Sequence, residues 1–372
     1  MAASPLPDEG ASLRPDARVL VLRLSALGDL VFALPAVHAL RHVLPQARIE
    51  WLVEDRCASL PRSYPGVDEV LVFPRAEWKN ARGLRARARA LGVCADHLVQ
   101  LRKRGPYDLV LDFQGNLKSA LHLLFLHAHL KLGFDKPAAR EGAQRFVGVR
   151  VPDPGRVHRS ARDMQLVRAL GYDGPAPQPM PWPILPEAER EVDLRLGHFL
   201  STPARSVEGA TVVLLHTEVT AYGRDKAWPE PRWLELAHGV VEATRARVLL
   251  LWDRENRARV LERVERSLGA CGLAPPTPTL DHLMALTDRA AVIVGTDSGP
   301  VHLAAFRGTP TVCLFGPTDP VRYAPLGPQV TVVSALPEGE EPPPRDRSRP
   351  SPWMERISTE AVARAVLAQL RG

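Results

Sequence analysis

Cysteine is scarce in this chain, and the few present do not pair. Cys57, Cys94, Cys271 and Cys313 are scattered with no CxxC spacing, so neither a disulfide framework nor a zinc site is suggested. Long apolar runs are also missing, since none approaches the roughly 20 residues that span a bilayer. The opening stretch, MAASPLPDEGASLRPDA, carries proline, glycine and acidic residues but no apolar core. A disordered tail over residues 1–16 is expected there, not a secretory signal. Zinc-finger spacing and an aromatic-rich RNA-binding signature are absent too, which argues against a nucleic-acid partner. Together these absences point to a reduced, cytoplasmic protein.

What is present is ordinary in bulk and informative in placement. A length of 372 residues predicts two domains, each able to bury a core. A formal charge of +6 favours anionic partners, although solvated arginine faces would give the same figure. The most informative stretch is residues 291–320, AVIVGTDSGPVHLAAFRGTPTVCLFGPTDP. It reads as a buried strand, a tight loop, a short helix over 301–307 ended by Gly308, and a second strand. Such a loop presents backbone N–H groups and a helix N-terminus at the carboxyl end of a strand, a site suited to a nucleotide diphosphate. Asp297 or Ser298 would serve equally as a plain helix cap.

The string D-S-G-x-x-H-L-A-A followed by G-T-P-T-V-x-L-F-G-P-T-D-P resembles the C-terminal signature of glycosyltransferase family 9, the heptosyltransferases of lipopolysaccharide core assembly. Three further segments are similar to that family in the same order. RLSALGDLVFALPAVHALR, over 23–41, follows a first strand at 18–24. D-F-Q-G-N-L-K-S-A, over 112–120, is more like the first heptosyltransferases of the family than the second. K-A-W-P, over 226–229, precedes a helix at 231–244.

The resemblance implies an α/β protein of GT-B architecture, two Rossmann-like domains facing a central cleft. The pattern of strands and helices independently permits this. The expected boundaries are 17–175 for the N-terminal acceptor-binding domain and 176–186 for a proline-rich linker. They are 187–355 for the nucleotide-sugar domain and 356–372 for a closing helix that packs back on the first domain. The charged, proline-rich stretch 336–352 is expected to be a mobile loop.

The resemblance also implies residue roles. Asp29 is the catalytic base, though an Asp at a helix start is also a good cap. Gly28 lets an acceptor approach the backbone. Lys226 stabilises the leaving diphosphate, with the amides of Ser298 and Gly299; a surface lysine is the competing reading. Thr217, Glu255, Asp297 and His302 complete the donor set. Asp297 is assigned to holding the loop, since its charge would repel phosphate, and His302 would serve equally as a packing residue. Glu255 would equally be a solvent-facing helix residue. On the acceptor side stand Arg75, Lys79, Gln114 and Lys118. Arg75 and Lys79 open a segment with nine basic residues against Glu77 and Asp96, over 75–104. That segment is either a solvated helix face or a docking surface for anionic groups.

The implied reaction is inverting transfer of L-glycero-D-manno-heptose from ADP-heptose to a Kdo sugar on lipid A. No cofactor is implied, and with no DxD cluster no obligatory metal is expected. The implied partners are the nucleotide-sugar donor, the anionic Kdo–lipid A acceptor and, peripherally, the cytoplasmic face of the inner membrane. Rival readings are another nucleotide sugar or acceptor, a nucleotide-sugar epimerase or hydrolase, and a non-catalytic sugar-nucleotide-binding protein of envelope assembly.

Overall fold

The computed structural model describes residues 13–177, 182–200, 211–337 and 339–371. Most of the expected N-terminal tail, and residues 178–181 of the expected linker, lie outside the described residues. The chain forms two compact units, Met1–Trp182 and Pro183–Gly372, that divide within the proline-rich stretch.

The first unit holds six parallel strands: β1 (Arg18–Leu22), β2 (Arg48–Glu54), β3 (Glu69–Phe73), β4 (Tyr107–Asp112), β5 (Ala128–Phe134) and β6 (Val149–Val151). Their order across the sheet is β3-β2-β1-β4-β5-β6. The second unit repeats the plan with β7 (Val212–His216), β8 (Arg247–Leu250), β9 (Cys271–Leu273), β10 (Val292–Thr296), β11 (Thr311–Phe315) and β12 (Val330–Ser334). Its order, β12-β11-β10-β7-β8-β9, is the same Rossmann-like sequence of strands counted from the unit's own first strand. The central strands are apolar throughout because helices cover both faces of such a sheet. The last four residues of β1 and all of β11 are buried.

In each sheet the strand order reverses beside the first strand, between β1 and β4 and between β7 and β10. Loops leaving the carboxyl ends of those pairs diverge there and leave a crevice, the place where open α/β sheets bind ligands. Register brings Leu22 level with Asp112 in the first unit and Gly295 level with His216 in the second. A Cβ on Gly295 would lie 2.5 Å from Val301 Cγ2, so only glycine allows the following helix to sit this close.

The closing helix, Thr359–Gln369, contributes to the core of the second unit. Val362 and Val366 are fully buried in a core with Val213, Trp228, Trp233 and Val312 of the second unit. Trp228 Nε1 donates to the Ile357 carbonyl at 3.0 Å, fixing the approach to that helix. The stretch 336–352, expected to be mobile, is anchored by Arg345, which grips the buried Asp225 with two hydrogen bonds of 2.6 and 3.0 Å.

Val366→Ala removes two buried methyl groups and should lower stability by about 2 kcal/mol. Urea unfolding followed by tryptophan fluorescence checks this, and an unchanged midpoint would place the helix elsewhere.

Candidate functional site

The second unit's half-site grows from the loops after β7 and β10. Helix Gly299–Arg307 begins with Ser298 as its N-cap, two residues beyond Thr296, and ends on Gly308 at φ 102°. Ser298 leaves its own helix start uncapped: its hydroxyl instead shares a 3.2 Å hydrogen bond with His216 Nδ1 at the end of β7. The first-turn amides therefore face outward with the helix dipole behind them, an arrangement that attracts anions.

Asp297, just before this helix, is held from two sides. Lys226 Nζ lies 3.4 Å from Asp297 Oδ2 and also donates to the Asp297 carbonyl. His302 Nε2 lies 2.8 Å from Asp297 Oδ1. Burial pushes the Asp297 carboxyl up, but the Lys226 charge and the His302 hydrogen bond outweigh it and hold the group well below the usual carboxylate range. An ionised carboxylate only accepts hydrogen bonds, so His302 Nε2 carries the hydrogen. His216 is shifted by burial, down to about 4, and is neutral at physiological pH. Arg345 anchors Asp225, the residue before Lys226 in the chain.

The structure thus joins Lys226, Asp297, Ser298, Gly299 and His302 into one cluster. Thr217 is also at the end of β7, but its hydroxyl accepts from Arg263 Nη1 at 2.9 Å. Glu255 is exposed in the turn after β8, and among the described residues no hydrogen bond or ion pair links it to that cluster. The buried carboxylate at this edge is Glu218, held by Arg259 and Arg263. Sequence reading missed it; its one signal was a glutamate two residues past the end of an apolar strand.

The first unit's half-site is organised by buried charge. Helix Leu27–Val43 starts in the turn after β1, placing Gly28 and Asp29 in its first turn. Asp29 realises both readings of its position. Oδ2 accepts from the Ala26 N–H at 3.3 Å, as a cap would, while Oδ1 lies 2.6 Å from Arg23 Nη2 and 3.7 Å from Arg159 Nε. Its side chain keeps 32% exposure, so it is accessible to a substrate hydroxyl. Arg23 is fully buried and also donates to the Phe113 carbonyl. Behind it lies Asp163, fully buried, its carboxyl pushed up by burial and pulled back by Arg23 and Arg162. An arginine in an otherwise apolar strand end, RVLVLRL, was the signal available for Arg23.

The loop after β4 explains its own motif. Asp112 Oδ1 accepts from the N–H groups of Gln114 and Gly115, both at 3.0 Å, and Oδ2 from the Ser119 hydroxyl at 2.9 Å. Gly115 takes φ 63°, and Asn116 caps helix Leu117–Phe125. Gln114 Oε1 accepts from the Leu24 N–H at 3.1 Å, tying this loop to the turn that carries Asp29. Lys118 and Arg75 converge on the buried Glu54 at the end of β2, at 2.9 and 4.0 Å, with Arg56 at 3.3 Å. Three cations on one carboxylate leave a net positive surface. Lys79 is exposed, one turn along the short helix Arg75–Asn80.

Arg23→Met should destabilise the first unit by about 3 kcal/mol, because it strips the buried Asp163 and Asp29 of a shared cation. Thermal unfolding beside Arg23→Lys, which keeps the charge and should lose less, measures this.

The comparisons with known proteins follow the same lines. Glycosyltransferase family 9 (heptosyltransferase) matches residues 97–353. Lipopolysaccharide heptosyltransferase 1 of Salmonella typhimurium is 29% identical over 311 residues, 82% of this chain and 89% of the relative. The protein of that name from Pseudomonas aeruginosa is 31% identical over 312 residues, 82% of this chain and 79% of its own. The solved structure of E. coli heptosyltransferase WaaC with ADP has a TM-score of 0.69 at 23% identity, covering 95% of this chain and 99% of that one. E. coli ADP-heptose lps heptosyltransferase II gives 0.70 at 22%, covering 95% and 98%. These two likenesses establish the fold class, α/β with two Rossmann-like domains of the GT-B kind. The matched segment spans more than half of the chain, which belongs to glycosyltransferase family 9 and is a glycosyltransferase.

Proposed function

We propose that this enzyme transfers L-glycero-D-manno-heptose from ADP-heptose to a Kdo residue of the lipopolysaccharide inner core, with inversion at the anomeric carbon. The observation that carries the reading is the division of chemistry between the two switch points. One presents an accessible carboxylate between two arginines, and the other an uncapped helix start beside a lysine.

Asp29 takes the proton from the attacking acceptor hydroxyl. The hydroxyl oxygen bonds to the anomeric carbon of heptose as the bond from that carbon to the ADP β-phosphate oxygen breaks. The charge that develops on the departing diphosphate is met by Lys226 and the amides of Ser298 and Gly299. Asp297 holds Lys226 and His302 in place and takes no part in the bond changes. Arg23 and Arg159 fix the orientation of Asp29. The cations around Glu54 receive the anionic Kdo–lipid A acceptor. In this reading the charge on the leaving group is carried by protein groups, with no obligatory metal.

The relatives named lipopolysaccharide heptosyltransferase 1 support the donor and acceptor chosen. A lipid-linked acceptor puts the enzyme at the cytoplasmic face of the inner membrane as a peripheral protein. No helix among the described residues is long and apolar enough to cross a membrane.

The test is transfer from ADP-heptose to heptose-free Kdo–lipid A. Wild type should form product, unaffected by excess chelator. Asp29→Asn should lose about a hundredfold to ten-thousandfold in kcat with its melting temperature retained. Absence of product from wild type sinks the reading. Equal losses of activity and melting temperature in Asp29→Asn would reduce Asp29 to a cap.

A further inference from the structure

Residues 345–357, beyond the last strand of the second unit, grip one short piece of the same unit, 222–232, at several points. Arg345 holds the buried Asp225 carboxylate with hydrogen bonds of 2.6 and 3.0 Å. The Ser351 N–H donates to the Asp225 carbonyl at 3.3 Å. The Arg347 guanidinium lies over the Tyr222 ring, 4.4 Å from its centroid. Trp228 Nε1 donates to the Ile357 carbonyl, and Arg232 donates to the carbonyls of Glu355 and Ile357. The loop after β11 braces the same stretch, since Gly316 packs so tightly on Met354 that a Cβ would collide with its sulfur. Pro344, Pro350 and Pro352 restrict the backbone of the stretch before any contact forms.

Lys226 sits between the gripped points, with Asp225 before it and Trp228 two residues after. The Asp225 carbonyl belongs to the planar peptide bond that leads into Lys226, so the Ser351 contact fixes the plane from which the lysine backbone departs. The stem of the lysine is set as well. A Cβ on Gly223 would lie 3.2 Å from Lys226 Cε, so the stem lies against the turn whose Tyr222 ring is covered by Arg347. At its far end the ammonium meets Asp297 twice, at the carbonyl and at Oδ2. An ammonium has three N–H donors, which leaves one for a ligand oxygen. The four-carbon stem is flexible, so that donor serves a ligand only where the backbone beneath it is held.

We propose that residues 345–357 form a clip that sets the position of Lys226, with Arg345 acting through Asp225 as the positioning residue for the diphosphate contact. Asp225 is 1% exposed, so its charge must be met where it lies. Arg345 meets it with both arms of a planar fork, a geometry that fixes orientation as well as charge. The clip touches no reacting atom. It holds the segment after β7 in the arrangement in which Lys226 reaches Asp297, beside the start of helix Gly299–Arg307. The inference rests on the proposed reading of Lys226 as a contact for the donor diphosphate, and adds to it the residue that keeps that lysine in place.

The test is titration calorimetry of the full chain with ADP, with thermal unfolding alongside. Arg345→Gln should bind ADP about threefold to tenfold more weakly than wild type, and Arg345→Lys should lose less. Asp225→Asn/Arg345→Gln removes the pair without stranding a buried charge, and should show the same loss with a cooperative melting transition. Coupling separates positioning from a merely structural role. In a Lys226→Gln background, adding Arg345→Gln should change affinity by less than about twofold, because the contact it serves is already gone. Wild-type affinity in both Arg345→Gln and Asp225→Asn/Arg345→Gln overturns the proposal. So do losses from Arg345→Gln and Lys226→Gln that multiply in full. Either result, with ADP bound by wild type, leaves the donor reading standing. Failure of wild type to bind ADP overturns that reading and the role of the clip with it.

Discussion

The contact between Lys226 and Asp297 is what the donor half-site depends on. A buried carboxylate at the mouth of a phosphate-binding loop is an electrostatic liability, since it repels the ligand the loop is shaped for. Here its charge is spent on the protein itself: Lys226 and His302 take one oxygen each. That contact ties the loop after β7 to the loop after β10 across the switch point. It also leaves the outward amides of the Gly299–Arg307 helix without an opposing anion. The helix stands close to the strand because Gly295 has no Cβ.

The first unit solves the same problem with the roles exchanged. Three carboxylates, Glu54, Asp112 and Asp29, lie at or just beyond the carboxyl ends of β2, β4 and β1. Asp112 is used up by backbone and hydroxyl donors and becomes a scaffold for the following loop. Glu54 is outnumbered by cations. Asp29 alone keeps solvent access, with Arg23 beneath it fixed by burial. Buried charge shapes both crevices: it is neutralised wherever it would be harmful and left reachable where a proton must move.

Much of this was legible in the sequence, for identifiable reasons. Central parallel strands are continuous apolar runs, so β1, β2, β4, β7, β10 and β11 announced themselves. The strands β5, β6, β9 and β12 did not. β9 is three residues long, and β5 carries polar His129 and Lys131, whose ammonium reaches back to the Leu123 carbonyl at 2.6 Å. Glycine-bearing loops and helix starts marked the turns that carry Asp29, Ser298 and Gly299, because backbone conformation is written locally, while the role of Asp29 came from the family resemblance. Partnerships over long separations were not readable. The Arg345–Asp225 grip joins residues 120 apart, and no local pattern announces it. The same limit hid Glu218 with Arg263, and it hid the packing of the closing helix, whose apolar stripe fits any sheet with a free face. Gln114 and Asp112 matched a family motif, yet their visible work is holding a turn, a distinction only the hydrogen bonds reveal.

The central claim is that nucleotide binding belongs to the Lys226 cluster and proton removal to Asp29. Titration calorimetry of ADP against wild type, Asp29→Asn and Lys226→Gln separates the two. The account predicts wild-type affinity for Asp29→Asn and a loss of at least about tenfold for Lys226→Gln, the value of one charge-assisted hydrogen bond. Full affinity in Lys226→Gln, or an equal loss in Asp29→Asn, would contradict it.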